Sequence, residues 1–209
     1  SYATRLQMES VILPASNVYG LHSREVTLAE RLKERGYATA LVGKWHLGDG
    51  IDFRPTRHGF DQFLGLTASH DIWSRNPYAR NLGDMRLHDG ESPLSVALRT
   101  ATGGRITNPV DTDAEQAHLL EAFTERALAF IGSSHAAKRP FFLYYAPHAP
   151  HVPCIPHPAY LGKSGVSRYY DVIMELDARV GQILARLAEL GIEDDTIVLF
   201  TSDNGSWVT

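Results

Sequence analysis

The sequence predicts an α/β fold, a mostly parallel sheet flanked by helices, and three observations carry that reading. A stretch with apolar residues at helical spacing is followed by a short apolar run three times along the chain, the alternation expected when strands lie parallel and helices cross over them. Shortly after each of these runs comes a polar cluster: Lys44 and His46, His148 and His151, Asp203 and Asn204. Ligands of parallel sheets sit beyond the carboxyl ends of the strands, so the three clusters point to one edge. The size of the chain, 209 residues with 44% hydrophobic and 21% charged side chains, suits a single sizeable core.

In the first round, Val26 to Lys33 is an amphipathic helix that ends on a basic last turn and Gly36. The run Tyr37 to Val42 lies between Gly36 and Gly43 and is apolar on both faces, as a strand covered on both sides should be. In the second round, Ala114 to Ile131 reads as a helix on Leu119, Leu120, Phe123, Ala127, Leu128 and Ile131, and Pro140 to Ala146 as the strand after it. In the third, a helix from Tyr169 to Leu190 leads through Gly191 to a strand over Thr196 to Thr201. Residues 72–112 are rich in Gly, Pro, Asn, Arg and Asp, without a sustained period, and read as a loop or insertion on the substrate side.

Composition narrows the function. No apolar run reaches the roughly 18 residues of a membrane span. The net charge is −4, and Lys and Arg are scattered without forming the basic stripe that a nucleic-acid backbone demands. Cys154 is the one cysteine and reads as a small packed residue.

Each cluster has a chemical reading and a plain one. Lys44 and His46, two apart, face the same way if strand geometry continues. A fixed cation beside an imidazole suits an anion with spread charge, such as sulfate or phosphate, though a solvent-facing Lys and a capping His fit as well. His148 and His151 stand among Pro147, Pro150 and Pro153, which stiffen the loop, so the pair is either functional or packed. Asp203-Asn204 offers two hard oxygens for Ca²⁺ or Mg²⁺, and Asp-Asn-Gly is also a common turn.

Taken together these segments resemble one family. Gly36 to Gly48, with Gly43-Lys44-Trp45-His46-Leu47-Gly48 at its centre, resembles the second signature of the type I, arylsulfatase-like sulfatases almost letter for letter. Arg57 to Gly65 with Ser69-His70-Asp71 is similar to the family's next stretch, Pro140 to Pro153 to its histidine loop, and Glu175-Leu176-Asp177 through Asp203-Asn204-Gly205 to its late helix and metal strand. The resemblance implies an alkaline-phosphatase-like fold and a sulfuric ester hydrolase holding a divalent cation, usually calcium, otherwise magnesium. By the same resemblance Lys44 and His46 bind the sulfate and its leaving side, His151 is the active-site histidine and His148 its neighbour. Ser69 contacts sulfate, and Asp203 and Asn204 are metal ligands.

The resemblance also implies parts that these residues do not supply. The family makes a formylglycine nucleophile from Cys/Ser-x-Pro/Ala-x-Arg and takes two further metal ligands from an Asp pair near the N-terminus. Tyr2-Ala3-Thr4-Arg5 fits the segment that follows the nucleophile motif, Ser1 lies too close to Lys44 for the family's spacing, and Cys154 has no Arg placed to complete the motif. The expectation is therefore that residues 1–209 are one partial catalytic domain, inactive alone, with the nucleophile upstream. The expected partner is a sulfated small molecule or carbohydrate, in a periplasmic or secreted setting, or a lysosomal one in a eukaryote. The rivals are a phosphoesterase of the same superfold, less favoured by Gly-Lys-Trp-His-Leu-Gly, and a non-catalytic anion-binding fragment.

Overall fold

The computed structural model describes residues 20–68, 85–93, 95–203 and 205. The first helix, α1 (Leu28–Lys33), is set by Thr27, whose hydroxyl accepts from the Glu30 amide at 3.1 Å while Glu30 Oε2 accepts from the Thr27 amide at 2.8 Å. This reciprocal cap satisfies two end donors and starts the helix two residues later than the periodicity suggests. The chain then turns through Gly36, at φ +86°, into β1 (Ala38–Lys44), buried along its length except at Lys44.

β1 is the middle one of three parallel strands. Parallel to it on one side runs β2 (Gln62–Leu66), in register from Ala40 opposite Gln62 to Lys44 opposite Leu66. On the other side lies β7 (Phe141–Ala146), also parallel, from Ala38 opposite Phe141 to Gly43 opposite Ala146. Two short antiparallel strands, β3 (Leu87–Asp89) and β4 (Ser92–Pro93), extend the sheet beyond β2, giving the order β4-β3-β2-β1-β7. A separate hairpin pairs β5 (Leu98–Arg99) with β6 (Arg105–Ile106). Part of the 72–112 region is thus strand, while residues 72–84 and 94 lie outside the described residues.

The helix expected from Ala114 is two helices. A second capping box, Thr112 with Glu115, opens α2 (Asp113–Gln116), and after His118 the long α3 (Leu119–Ala136) begins. Helix α3 covers one face of the sheet, where Leu119 and Phe123 join Val42, Leu64, Leu66, Met85 and Leu87 in one core cluster. The other face packs Leu41 and Phe63 against Ala29 of α1, with Leu21, Trp45 and Phe60. Fully buried Phe63 and Phe123 each contribute about 1.5–3 kcal/mol from removal of apolar surface from water. Helix α4 (Arg168–Glu189) lies on α3 and buries Asp171, Val172, Glu175, Arg179 and Leu187.

The third helix-strand round ends differently from the sequence expectation. Residues 196–201 form no strand, and Ile197, Leu199 and Phe200 are 88%, 86% and 80% exposed. β-Propensity alone makes no strand; it needs a paired neighbour, and among the described residues β7 has β1 alone beside it.

Candidate functional site

The parallel strands β2, β1 and β7 end side by side because glycine lets them. Gly43 sits between Gly65 and Ala146 in the register. A Cβ on Gly43 would lie 1.9 Å from the Ala146 carbonyl oxygen, and one on Gly65 would lie 1.7 Å from that of Gly43. With φ +120° as well, position 43 is closed to any side chain, and Lys44 is thereby carried to the end of a tight three-strand junction.

Past β1 the chain keeps the parallel track for two more residues: the Trp45 amide donates to Leu66 O at 2.8 Å and the His46 amide to Thr67 O at 3.1 Å. Trp45 turns inward, stacked on His58 at 5.8 Å with Nε1 donating to Phe53 O at 2.7 Å. Lys44 and His46 remain half-buried at the end of the sheet. His46 adopts φ 58°, a left-handed backbone that costs a β-carbon-bearing residue on the order of 1–2 kcal/mol. Strain of this kind gathers at functional positions.

The loop after β7 brings the other imidazoles to this edge. His148 is buried with its ring edge-on to Phe123 of α3 at 5.8 Å, and Ala149 packs with Leu120 and Val172. Burial first, then the charges of Lys44 and His151, push the His148 imidazole down to about 4, so it is neutral at physiological pH. Lys44 at the end of β1 and the loop that carries His148 and His151 after β7 meet at the junction where Gly43 lies opposite Ala146. The His151 amide donates to His148 O at 3.2 Å, and its Nδ1 donates to Val152 O at 2.7 Å. A carbonyl can only accept, so Nδ1 carries the hydrogen and Nε2 is the nitrogen that gives or takes a proton.

Other predicted positions are not brought into this group. Asp203 is exposed and follows an extended segment instead of a strand. Ser69 and Asn204 lie outside the described residues. Among the described residues, the group of three or more His, Cys, Asp or Glu side chains within reach of one ion is His118, Glu121 and His157, without Asp203. Two oxygens cannot by themselves fill a Ca²⁺ shell of 6–8 ligands.

Sequence reasoning also missed several groups. Thr67 donates to Asp49 Oδ1 at 2.5 Å beside His46, and buried His88, pushed down to about 4 by burial and by Arg54, stands on β3. At the far end of the histidine loop, the His157 amide donates to buried Glu175 at 2.8 Å, and Glu175 accepts from Arg179 at 3.3 Å. Spacing shows His118 and Glu121 one helical turn apart, but nothing in the sequence brings His157 to them.

The chain is thus an α/β domain whose parallel strands end together on a lysine and lead into a loop of histidines. The chain belongs to the sulfatase family. The Sulfatase family model matches residues 2–208. N-acetylgalactosamine-6-sulfatase of Canis lupus familiaris is 37% identical over 207 residues, covering 98% of this chain and 37% of the relative. Arylsulfatase A of Homo sapiens is 35% identical over 210 residues, covering 96% of this chain and 39% of the relative. A solved Bacteroides thetaiotaomicron structure, described under the metabolism of multiple glycosaminoglycans, superposes with TM-score 0.72 at 27% identity, covering 94% of this chain and 48% of that one. A sulfatase structure from Pseudoalteromonas sp., 22% identical with TM-score 0.69 over 86% of this chain and 38% of that one, shares the fold. The chain therefore spans less than two-fifths of the length of those two curated relatives.

Proposed function

We propose that this chain is the strand-end half of a sulfatase catalytic domain, and that the whole protein hydrolyses sulfate esters of a small molecule or carbohydrate. The observation that carries the reading is the close junction of β2, β1 and β7, which ends on Lys44 and leads directly into the loop of His148 and His151. Lys44 supplies fixed positive charge for the sulfate oxygens as charge shifts onto them. His151, its Nδ1 hydrogen held by Val152 O, presents Nε2 to protonate the departing alkoxide, and His46 holds the leaving side. His148, buried and kept neutral, packs behind the site against Phe123, and Ser69 is the proposed sulfate contact. The proposed nucleophile is the family's formylglycine, a role assigned to none of residues 1–209. Asp203 and Asn204 are proposed as oxygen ligands of Ca²⁺ or Mg²⁺, a shell that they do not complete. The substrate class follows the names of the relatives, and a periplasmic, secreted or lysosomal setting follows the family; no helix among the described residues is long and apolar enough to cross a membrane.

The test uses the full-length polypeptide. Lys44→Ala should lower kcat/KM by about 10²–10³-fold on every sulfate ester. His151→Ala should lower it by about 10²–10⁴-fold on an alkyl sulfate, whose leaving group needs a proton, and far less on p-nitrophenyl sulfate, whose leaving group does not. Equal losses on the two esters would remove His151 from the proton-transfer role, and an unaffected Lys44→Ala would remove the anion site.

A further inference from the structure

Away from the strand ends, His118, Glu121 and His157 meet where the start of α3, the loop before β6 and the end of the histidine loop come together. His118 Nδ1 lies 2.9 Å from Glu121 Oε2, His157 Nε2 lies 3.7 Å from the same oxygen, and all three atoms are within 4.8 Å of one another. A tetrahedral ion with bonds of about 2.0–2.1 Å keeps its donors about 3.3 Å apart, a spacing that the 2.9 and 3.7 Å separations bracket. Small side-chain adjustments therefore open the cluster around an ion.

The electrostatics ask for a cation. Glu121 is 2% exposed, and its ion-pair partners among the described residues are the two histidines, with no Lys or Arg. Thr102 donates to it through its hydroxyl at 2.9 Å and its amide at 3.3 Å. Although burial opposes ionisation, the His118 hydrogen bond and those from the threonines hold its carboxyl down to about 2. Arg179 is committed to Glu175. A divalent cation held by the two imidazoles and this carboxylate would give Glu121 a full positive partner where it now has none from Lys or Arg among the described residues.

We propose that His118, Glu121 and His157 form a binding site for a borderline divalent cation such as Zn²⁺, separate from the oxygen-ligand site implied by the family resemblance. Two imidazoles and one carboxylate suit zinc and its neighbours and are a poor set for Ca²⁺ or Mg²⁺. An ion here ties the histidine loop to α3 and to the loop at Thr102. It also leaves a chemical mark. In the metal-free chain the Ala159 amide donates to His157 Nδ1 at 3.1 Å, so neutral His157 carries its hydrogen on Nε2, the atom facing Glu121. An ion on Nε2 moves that hydrogen to Nδ1 and breaks the Ala159 contact.

The experiment titrates the chelator-stripped full-length polypeptide with ZnCl₂ by calorimetry at pH 7.5 and records the imidazole nitrogens by long-range ¹H–¹⁵N NMR. The expected result is one saturable Zn²⁺ that excess Ca²⁺ does not displace, with His157 switching to the Nδ1–H form. Glu121→Gln and His118→Ala should each weaken zinc at least tenfold, and His151→Ala should leave it unchanged. No saturable uptake up to 100 µM Zn²⁺, or uptake without the His157 switch, overturns the site. Uptake lost in His151→Ala and kept in Glu121→Gln would place the ion at the strand ends and overturns it too. Should a variant fail to fold, the His157 switch in the unmodified chain decides alone. The sulfatase proposal does not depend on the result, because zinc binding is read without turnover.

Discussion

Replacing Gly43 by alanine is the sharpest available test of the strand-end junction. Its new methyl carbon would sit 1.9 Å from Ala146 O and 2.5 Å from the carbonyl carbon, both of them backbone atoms of a paired strand. No rotamer can relieve that contact, so β1 and β7 must part at their last registered pair. Overpacking of this kind costs about 1–3 kcal/mol, and a side chain held at φ +120° adds about 1–3 kcal/mol more. The sum is about 2–6 kcal/mol, a large share of the roughly 5–15 kcal/mol that stabilises an ordinary domain. Gly36→Ala is the matched control, since Gly36 is also left-handed, at φ +86°, yet its Cβ would meet nothing within 4 Å. That substitution should cost only about 1–2 kcal/mol of backbone strain. Urea unfolding of both variants, followed by tryptophan fluorescence and circular dichroism, measures the difference. If Gly43→Ala lost no more stability than Gly36→Ala at the same m-value, the close approach of β1 and β7 would be refuted, and with it the placing of Lys44 beside the histidine loop.

Acid should weaken the fold in two separate windows. His148 and His88, both pushed down to about 4 mainly by burial, are neutral in the folded chain, whereas the unfolded imidazole takes up its proton near 6.5. Their contribution is complete above pH 6.5 and drains as pH falls toward 4, on the order of 3 kcal/mol for each. Glu121, held down to about 2 against a usual 4.5, loses its contribution only between about 4.5 and 2. Urea midpoints should therefore fall between pH 7 and 5 and fall less steeply in His88→Gln; a flat profile in that range would contradict the burial of these rings. Thr39→Val should cost about 1–3 kcal/mol, because the buried hydroxyl donates to Gly59 O at 2.7 Å and accepts from the Asp61 amide at 2.9 Å, and valine removes the donor to Gly59 O and leaves the Asp61 amide with Thr39 O at 3.0 Å as its acceptor. Faster hydrogen exchange at the Asp61 amide, together with a lower urea midpoint, checks it.

The long periodic elements were legible in the sequence because their patterns are local. The first helix, β1, β7 and α4 all lie within a residue or two of where apolar spacing and terminal glycines put them. β2 was missed because Gln62-Phe63-Leu64-Gly65-Leu66 carries a glycine that reads as a turn residue, while its use is to let Gly43 approach. The edge strands β3 and β4 are 3 and 2 residues long, too short to show an alternation. At the site, Lys44, His46 and His151 were visible as residue types at strand ends. What stayed hidden was everything that depends on folding at a distance: the burial of His148 against Phe123, the joining of His157 to Glu121, and the failure of residues 196–201 to find a neighbour.

That missing neighbour gives β7 a second meaning. Among the described residues its outer margin has no partner strand, so the backbone donors and acceptors of about half of its six residues face away from β1. A sheet margin of this kind is a template that selects by shape and hydrogen-bond spacing more than by side-chain identity. The chain carries a strand-forming run of its own at 196–200, and every other molecule in the tube carries the same one. The contest for that margin is between an intramolecular event, independent of dilution, and an intermolecular one that grows with it. Concentration thus becomes a structural variable for this chain, as temperature and pH are for others.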